Sequence, residues 1–258
     1  MWLLRATCIA DIQTNIMSLS GIAISIGVLV DSSIVMAENV MHRLREHFGD
    51  LKRPAQSRPA PVLDIPPHKE TLVAIATDPE ATGSSVTLGF KSPHEVTATV
   101  GDYRRDLVRN LYFSMLNDRF DEIAHRANPP FLEADTGGGM LGRTDDMWEL
   151  DASVKDGGIE TGLAALLEEA ARVRAHGFLP SELDRAKKST RARWERIYAE
   201  RDKSESSGFA REYVSYFLTG EPAPGIEAEY AIVKSVLDGI SLDEINAVPG
   251  HLMRADNR

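Results

Sequence analysis

The feature that most constrains the fold is an uncharged apolar run near the amino terminus. Nineteen residues without a formal charge lie between Asp11 and Asp31, reading IQTNIMSLSGIAISIGVLV. A helix of about 20 residues crosses the roughly 30 Å hydrocarbon core of a bilayer, so the length fits one crossing. The pattern stays apolar beyond Asp31 as far as Ala37. We therefore predict one apolar, transmembrane-like helix that contacts a membrane through residues 12–37.

Two other interpretations of the run stay open. A signal peptide begins with a basic region, whereas only Arg5 precedes this run and no cleavage pattern ends it. A buried helix of a soluble protein has a similar composition. Gly21 and Gly27 are small residues spaced as on a closely packed helix face, which favours helix packing within a membrane bundle.

Asp31 lies inside the apolar pattern rather than at its end. A carboxylate at the centre of a membrane helix costs about 3 kcal/mol or more, so such residues usually face a bundle interior and move ions or protons. The alternative is that Asp31 marks the membrane surface. Lys and Arg residues are concentrated after the run, and the positive-inside rule then places the carboxyl-terminal flank in the cytoplasm.

The string NIMSLSGIAISIGVLVDSSIVMAENVMHRL closely resembles the fourth transmembrane helix of resistance-nodulation-division (RND) efflux permeases, particularly the heavy-metal branch. Gly27 and Asp31 match the Gly-x-x-x-Asp pattern of that family, and Glu38 with Asn39 match the Glu-Asn that follows. The resemblance covers about residues 10–46. It implies that Asp31 is a proton-relay residue, and it implies an alternative function as a fragment of a proton-coupled RND efflux transporter in the membrane.

A proline-rich segment separates this run from the rest of the chain. Residues 51–69, LKRPAQSRPAPVLDIPPHK, contain five of the thirteen prolines. Proline lacks an amide donor and restrains the preceding residue to extended conformations, so the segment is typical of a linker. We predict a transmembrane-like helix in residues 1–48, a linker or junction in 49–69, and a separate domain in 70–258.

The third part has the pattern of an α+β domain. Its predicted strands are Leu72–Thr77, Ser85–Lys91, Phe131–Ala134 and Met147–Val154, and its predicted helices are Tyr103–Ala127, Ile159–His176, Ser181–Glu200, Ser204–Leu218 and Ile226–Leu237. Strands and helices without regular alternation predict a helix-covered mixed or antiparallel sheet. Pro180 suits a first helical turn, and Ser241 with Glu244 has the spacing of a capping box. The core candidates of the first helix are Leu107, Leu111, Met115 and Ile123.

Charge and local motifs exclude several functions. The formal net charge is −10, and residues 51–258 contain 26 basic against 34 acidic residues. Phosphate binding needs clustered positive charge, so we expect no nucleic-acid partner. Asp135 begins a triplet typical of aspartic proteases, but the helical sequence after Ile159 contradicts their all-β scaffold. The glycines at 137–139 instead predict an irregular connection.

Four strings in order resemble part of a pitrilysin/insulinase-type zinc peptidase: ETLVAIATDPEATGSSVTLGFK, DYRRDLVRNLYFSMLNDRFDEIA, PPFLEADTGGG and SVKDGGIETGLAALLEEAARVRAHGFLPSELDRAK. The last string matches a helix start of that family through Gly177, Glu182, Leu183, Ala186 and Lys187. The resemblance covers about residues 66–248. It implies the inactive, carboxyl-terminal part of a repeated α+β unit, which encloses an unfolded peptide and pairs with a catalytic subunit or domain.

The zinc site of that family is not encoded here. Its metal is held by an H-x-x-E-H helix and a downstream glutamate, and no H-x-x-E-H string occurs in the sequence. We therefore assign no catalytic residue, no metal ligand and no cofactor to this chain, and expect zinc only in a separate catalytic unit. The chain alone is predicted neither to bind zinc stoichiometrically nor to cleave peptides.

The two resemblances belong to unrelated classes of protein. The chain is therefore interpreted as a chimera or fragment joined near residues 49–61, and a functional membrane-tethered peptidase domain is the second interpretation. If the first helix inserts, the expected location is the bacterial inner membrane. Otherwise the protein is expected to be soluble, in the periplasm or the cytoplasm.

Overall fold

The structure is a computed structural model that describes residues 16–52, 56, 61 and 63–258. The chain divides into two compact units that meet in sequence at residues 60 and 61. In the described residues, the first unit contains one long helix. The second contains a three-stranded sheet and six α-helices.

Helix α1, Ile16–Phe48, contains most of the predicted apolar run, and residues 12–15 of that run lie outside the described residues. Its segment Ile24–Phe48 is long and apolar enough, by length and composition, to cross a membrane. Three serine hydroxyls donate to the carbonyl four residues earlier, at 2.8, 2.8 and 2.9 Å: those of Ser25, Ser32 and Ser33. This bonding satisfies the hydroxyls within the helix itself.

The sheet of the second unit has the strands β1 Ser84–Pro93, β2 Glu133–Met140 and β3 Asp145–Val154. It is antiparallel, with the order β1-β3-β2. The predicted alternation in β3 is confirmed, because Trp148, Leu150, Ala152 and Val154 are all buried. Side chains on successive strand residues point to opposite faces, so one face of the sheet lines the core and the other faces solvent.

Six helices follow or interrupt the strands: α2 Val100–Ala124, α3 Ile159–His176, α4 Pro180–Ala199, α5 Ser206–Thr219, α6 Ile226–Val236 and α7 Leu242–Leu252. Helix α2 packs against β2, and α3 packs against β1 and β3. The four core residues predicted for α2 are all buried. The predicted α+β fold with a helix-covered sheet is therefore confirmed, and the sheet is antiparallel.

Helix ends follow the local sequence signals. Pro180 occupies the first turn of α4, and Ser241 forms a capping box with Glu244 at the start of α7, both as predicted. Arg104 of α2 pairs with the same Glu244, and with Ser241 it lowers the pKa of this carboxyl to about 2. The cap of α7 is therefore also a tether between α7 and α2.

A partly buried ion cluster joins three helices. Arg119 of α2 binds Glu182 of α4 at 2.7 Å and Glu169 of α3 at 3.0 Å. Its guanidinium also lies over the Phe178 ring, 4.8 Å from the centroid. Removing one partner of a buried ion pair leaves an uncompensated charge, so loss of any one of these side chains should destabilise the contact between the three helices.

The predicted strand at Leu72–Thr77 is wrong. This segment has no regular secondary structure and belongs to no ladder, and Leu72, Val73 and Ile75 are exposed. The end of the chain occupies the adjoining positions, because the Leu72 amide donates to the Arg258 carbonyl at 3.0 Å and the Lys91 amide of β1 donates to the Asn257 carbonyl at 2.8 Å. The apolar pattern predicted an extended backbone, but a strand also needs a partner.

Candidate functional site

The residues predicted for proton relay and helix packing lie on α1. Asp31 is exposed, and a Cβ added at Gly21 or Gly27 would meet nothing within 4 Å. Among the described residues, the structure brings no close neighbour to either glycine. The proton relay at Asp31 stays a prediction.

The second unit contains a more complete site along the outer edge of β2. The Leu141 amide donates to the Asp145 carbonyl at 2.9 Å and continues the β2–β3 register. Since backbone groups of an antiparallel edge strand alternate between partner and outside, the odd-numbered residues of β2 pair with β3. The even-numbered residues direct their N–H and C=O groups outward, at Ala134, Thr136, Gly138 and Met140.

One of these outward positions is covered by a side chain of α2. Asn117 accepts from the Thr136 amide at 2.7 Å and donates to the Thr136 carbonyl at 3.1 Å, so its carboxamide imitates a neighbouring strand. The Thr136 hydroxyl donates to the Glu149 carbonyl and accepts from the Trp148 indole N–H. At Gly138 and Met140, no described protein group bonds the outward amide or carbonyl. The edge is closed at its centre and open at its glycine end.

The triple glycine of β2 lets another backbone approach this open end. A Cβ at Gly138 would lie 3.4 Å from the Phe113 ring and 3.4 Å from the Met147 carbonyl oxygen, whereas a Cβ at Gly137 or Gly139 would meet nothing within 4 Å. Glycine within a strand often marks the close approach of a ligand or of a second chain. The predicted irregular connection at these glycines is wrong, because pairing with β3 supplies ladder bonds that override their low strand propensity.

A cleft of about 330 Å³ opens beside the glycine end. Gly138 and Gly139 form one side, and Trp148 and Phe113 supply apolar surface. The cleft is also lined by polar groups of α2 and of the loop after β1, namely His94, Glu95, Thr97, Asp106, Arg109 and Asn110. An extended chain added to the open edge would run past this cleft.

The charged groups of the cleft are linked to one another. His94 Nδ1 lies 2.7 Å from Asp146 Oδ1, and the Glu95 amide donates to the other oxygen of Asp146 at 3.1 Å. Arg109 pairs with Asp106 and lies 3.4 Å from Glu95. Acidic side chains outnumber cationic ones among the lining residues, which include Glu221. The local charge therefore favours a cationic ligand group.

Asp135 lies on the solvent face of β2, directly opposite Asp151 of β3. Partial burial, followed by the charges of Asp151 and Glu133, raises the pKa of Asp135 above its ordinary value. Like charges placed opposite each other in a sheet are destabilising. The pair is therefore a local strain on the edge strand.

The described residues offer no metal centre. No group of three or more His, Cys, Asp or Glu side chains in this part of the chain is arranged to hold a metal ion. The donor set thus does not fit the zinc site of the peptidases that the sequence resembles.

Sequence reasoning missed the β2 edge, the covering role of Asn117 and the cleft around His94. The available signal was the triple glycine, since a glycine run next to a strongly alternating strand is also compatible with an edge strand. The pairing between Asn117 and Thr136 depends on how α2 crosses the sheet. Local sequence does not specify that crossing.

No protein-family model matches the sequence. A "Zinc protease PQQL-like" protein of Arabidopsis thaliana is 29% identical over 209 residues, which are 81% of this chain and 19% of the relative. The first half of the periplasmic protease PqqL from Escherichia coli superposes with a TM-score of 0.71 at 14% identity, covering 84% of this chain and 46% of that one. A predicted insulinase family protease from Yersinia pestis gives 0.68 at 14% identity, covering 86% and 48%.

These comparisons show a resemblance to pitrilysin/insulinase-type zinc proteases and a match to their fold. They do not support the resemblance of residues 10–46 to RND efflux permeases. The chain spans about a fifth of the curated relative and less than half of each of the two solved structures.

Proposed function

We propose that residues 70–258 form a non-catalytic domain of a pitrilysin/insulinase-type zinc metallopeptidase, which helps to enclose an unfolded peptide substrate. The observation that carries this proposal is the open glycine end of β2 beside a polar cleft. An unpaired strand edge presents a row of N–H and C=O groups that an extended peptide can join. In this domain the edge would bind substrate without performing chemistry on it.

In this proposal the edge and the cleft bind different parts of the peptide substrate. Gly138 and Met140 offer two outward N–H and C=O pairs, enough for a short stretch of added strand. The acidic lining of the cleft favours a peptide that presents a cationic group there. Such an arrangement holds the peptide by its main chain and orients it by one charged position.

Catalysis belongs, in this proposal, to a partner subunit or domain that carries H-x-x-E-H and binds zinc. When bound there, zinc would polarise the peptide carbonyl and activate water. This chain would contribute the opposite wall and the strand edge. The fold of the second unit and its likeness to peptidases of this type support the pairing.

For location, we favour the periplasm, because the Escherichia coli protein with the similar fold is a periplasmic protease. Helix α1 then acts either as an export signal or as a membrane anchor, and the anchor needs the orientation opposite to the one that the positive-inside rule gives. Extraction of the expressed chain with alkaline carbonate separates these roles, since an inserted anchor stays with the membrane pellet. A soluble chain that retains α1 would contradict both.

The junction between the two units is a further part of the proposal. We interpret residues 1–48 as a piece unrelated to the peptidase-like domain, joined to it within 49–69. Trypsin releases residues 46–52 and 53–69 as two peptides that bracket this junction. Detection of both peptides in native cells would establish the joined chain, whereas peptides from one side alone would contradict it.

The edge is tested with a fluorescently labelled, disordered casein peptide titrated into the purified chain. Met140→Pro removes one outward amide donor without removing a ladder bond, because even-numbered residues of β2 do not pair with β3. We expect binding to weaken by about tenfold, the value of roughly one hydrogen bond. The control Met140→Ala keeps the donor and should bind as the native chain does.

Equal binding by the native chain and by Met140→Pro would contradict binding at this edge. The metal assignment has its own test, which is the zinc content of the chain after dialysis. Equimolar zinc, or cleavage of the casein peptide by the chain alone, would overturn the non-catalytic assignment.

A further inference from the structure

Helix α5 has its polar side toward the domain and its apolar side toward solvent. No residue of this 14-residue helix is buried, and only Glu212 and Ser215 are partly covered. We call four exposed side chains the aromatic face; their exposed fractions are 46% for Phe209, 64% for Tyr213, 59% for Tyr216 and 85% for Phe217. The spacing i, i+4, i+7, i+8 places them on one stripe of the helix.

A helix of this length needs tertiary contacts for its stability. Isolated helices shorter than about 12–15 residues are marginal in water, and most helical stability in proteins comes from burying an apolar face. In α5 that face is bare. Because α5 buries none of its residues against its own domain, we infer that another surface covers it.

The contacts beneath α5 hold it only weakly. A cleft of about 270 Å³ between α5 and α6 is lined by Arg211, Glu212, Glu221 and Glu229. Burial, and then the charges of Glu212 and Glu221, raise the pKa of Glu229 above its ordinary value. Three carboxylates with one guanidinium make this inner contact unfavourable, which leaves the outer face as the place where α5 gains stability.

The same acidic groups select the chemistry of the partner. Glu205 lies at the start of α5, Glu212 along its side and Glu221 just beyond its end. An anionic lipid surface would be repelled by this rim. A second copy would bring like charges together, within a domain whose charge is already negative. A protein surface with Lys and Arg around an apolar groove is complementary to it.

The area of the aromatic face limits how that partner is held. A 14-residue helix is about 21 Å long and about 10 Å wide, so one face covers about 200 Å². A stable interface buries about 800 Å² on each partner. The aromatic face can therefore extend an interface made elsewhere but cannot form one alone.

We propose that the aromatic face of α5 docks into an apolar groove, rimmed by Lys and Arg, on the catalytic peptidase unit. The proposal rests on the proposed function, because that function supplies a partner already held by other contacts. Tyr and Phe are both enriched in protein interfaces, and Tyr is typical of the residues that dominate binding energy.

The test uses two synthetic amphipathic helical peptides with the same leucine face, one flanked by lysines and one by glutamates. Each is titrated into the full chain while amide hydrogen exchange is followed in α5. We expect weak, saturable binding of the lysine-flanked peptide and protection of the α5 amides. Phe217→Ser and Tyr213→Ser should each weaken binding by about tenfold or more, whereas the exposed control Leu167→Ser on α3 should not.

Three results would overturn the proposal: equal binding of the glutamate-flanked peptide, binding unchanged by Phe217→Ser, or protection of α5 by anionic vesicles or by self-association in sedimentation. The casein titration distinguishes this failure from failure of the proposed function. Phe217→Ser should bind casein as the native chain does, because Phe217 does not line the cleft beside the β2 edge. If the native chain does not bind casein, that result would instead contradict the proposed function.

Discussion

The two outer edges of the sheet are each covered at one position, but by different groups. On the β1 side, the Lys91 amide donates to the Asn257 carbonyl at 2.8 Å. On the β2 side, among the described residues, the Asn117 carboxamide covers the strand at Thr136. Natural sheets usually protect their edges against association with other chains. What distinguishes the glycine end of β2 is the acidic cleft of about 330 Å³ beside it.

The comparison also separates two ways of closing an edge. A main-chain segment covers β1 at Lys91, so this cover depends on residues distant in sequence. A single side chain covers β2 and leaves its glycine end exposed. The β2 cover can therefore be changed by one substitution, which makes the two edges experimentally distinguishable.

The largest expected effect comes from the support shared by both edges. Arg119→Met leaves Glu169 buried without its main partner, and we expect the free energy of unfolding to fall by about 3–5 kcal/mol. Urea unfolding measures this change. The control Arg172→Met removes a half-exposed arginine 3.4 Å from the same glutamate, and should cost less than about 1 kcal/mol. A similar decrease in the free energy of unfolding in both variants would show that the Arg119 cluster stabilises the domain no more than a surface ion pair does.

Removing the cover of the β2 edge is the second prediction. Asn117→Leu leaves the amide and carbonyl of the buried Thr136 without partners, which should cost about 2–3 kcal/mol of unfolding free energy. Casein binding should stay near the native level, because the leucine keeps the freed groups buried beneath α2 and the glycine end is unchanged. Asp118→Ala, on a half-exposed neighbouring position, should change neither quantity. Markedly weaker or tighter casein binding by a folded Asn117→Leu chain would contradict binding at the glycine end alone.

Loosening the β1 edge is the third. Asn257 has a left-handed φ of 56°, and its side chain accepts from the His68 amide at 2.8 Å. Asn257→Ala should lower the local free energy of opening at the Lys91 amide by about 1–2 kcal/mol, through backbone strain and the lost acceptor. Glycine adopts a left-handed φ without strain, so Asn257→Gly should lower this free energy of opening by less. Hydrogen exchange at the Lys91 amide measures the free energy of opening in both variants, and casein binding should stay unchanged.

The smallest effect concerns Asp135 on β2. Its pKa is raised in the folded chain, so the folded state binds this proton more readily than the unfolded state does. Stability should therefore increase as pH falls through the raised pKa and be lowest above it. Asp135→Asn should add a few tenths to about 1 kcal/mol at neutral pH and remove this pH dependence. Asp156→Asn, exposed and outside the sheet, serves as the control in urea unfolding across pH.

Much of the fold follows from local pattern. Alternation in β3 and helical spacing in α2 both mark residues that the structure buries, and the capping box at Ser241 marks the start of α7. These signals depend only on neighbours along the chain. They predict which face of an element is apolar, and packing then uses that face.

The predictions from sequence were wrong where pairing between segments distant in the chain determines the local structure. Leu72–Thr77 has the composition of a strand, but its one backbone bond to the chain end is at Leu72, and no strand pairs with it. The glycines of β2 have the composition of a loop, but β3 gives them a ladder. The candidate site combines a strand edge, an amide from α2 and a loop histidine, so no single stretch of sequence contains it.

The triple glycine of β2 has a further consequence for how the protein behaves at high concentration. Fibrils are stabilised by side chains that interdigitate between stacked sheets, and residues 137–139 provide none. An edge made of glycine can therefore remain uncovered between binding events without becoming a template for fibril growth. The edge itself would bond only to the main chain of a peptide, so any preference for a peptide sequence would come from the acidic cleft beside it.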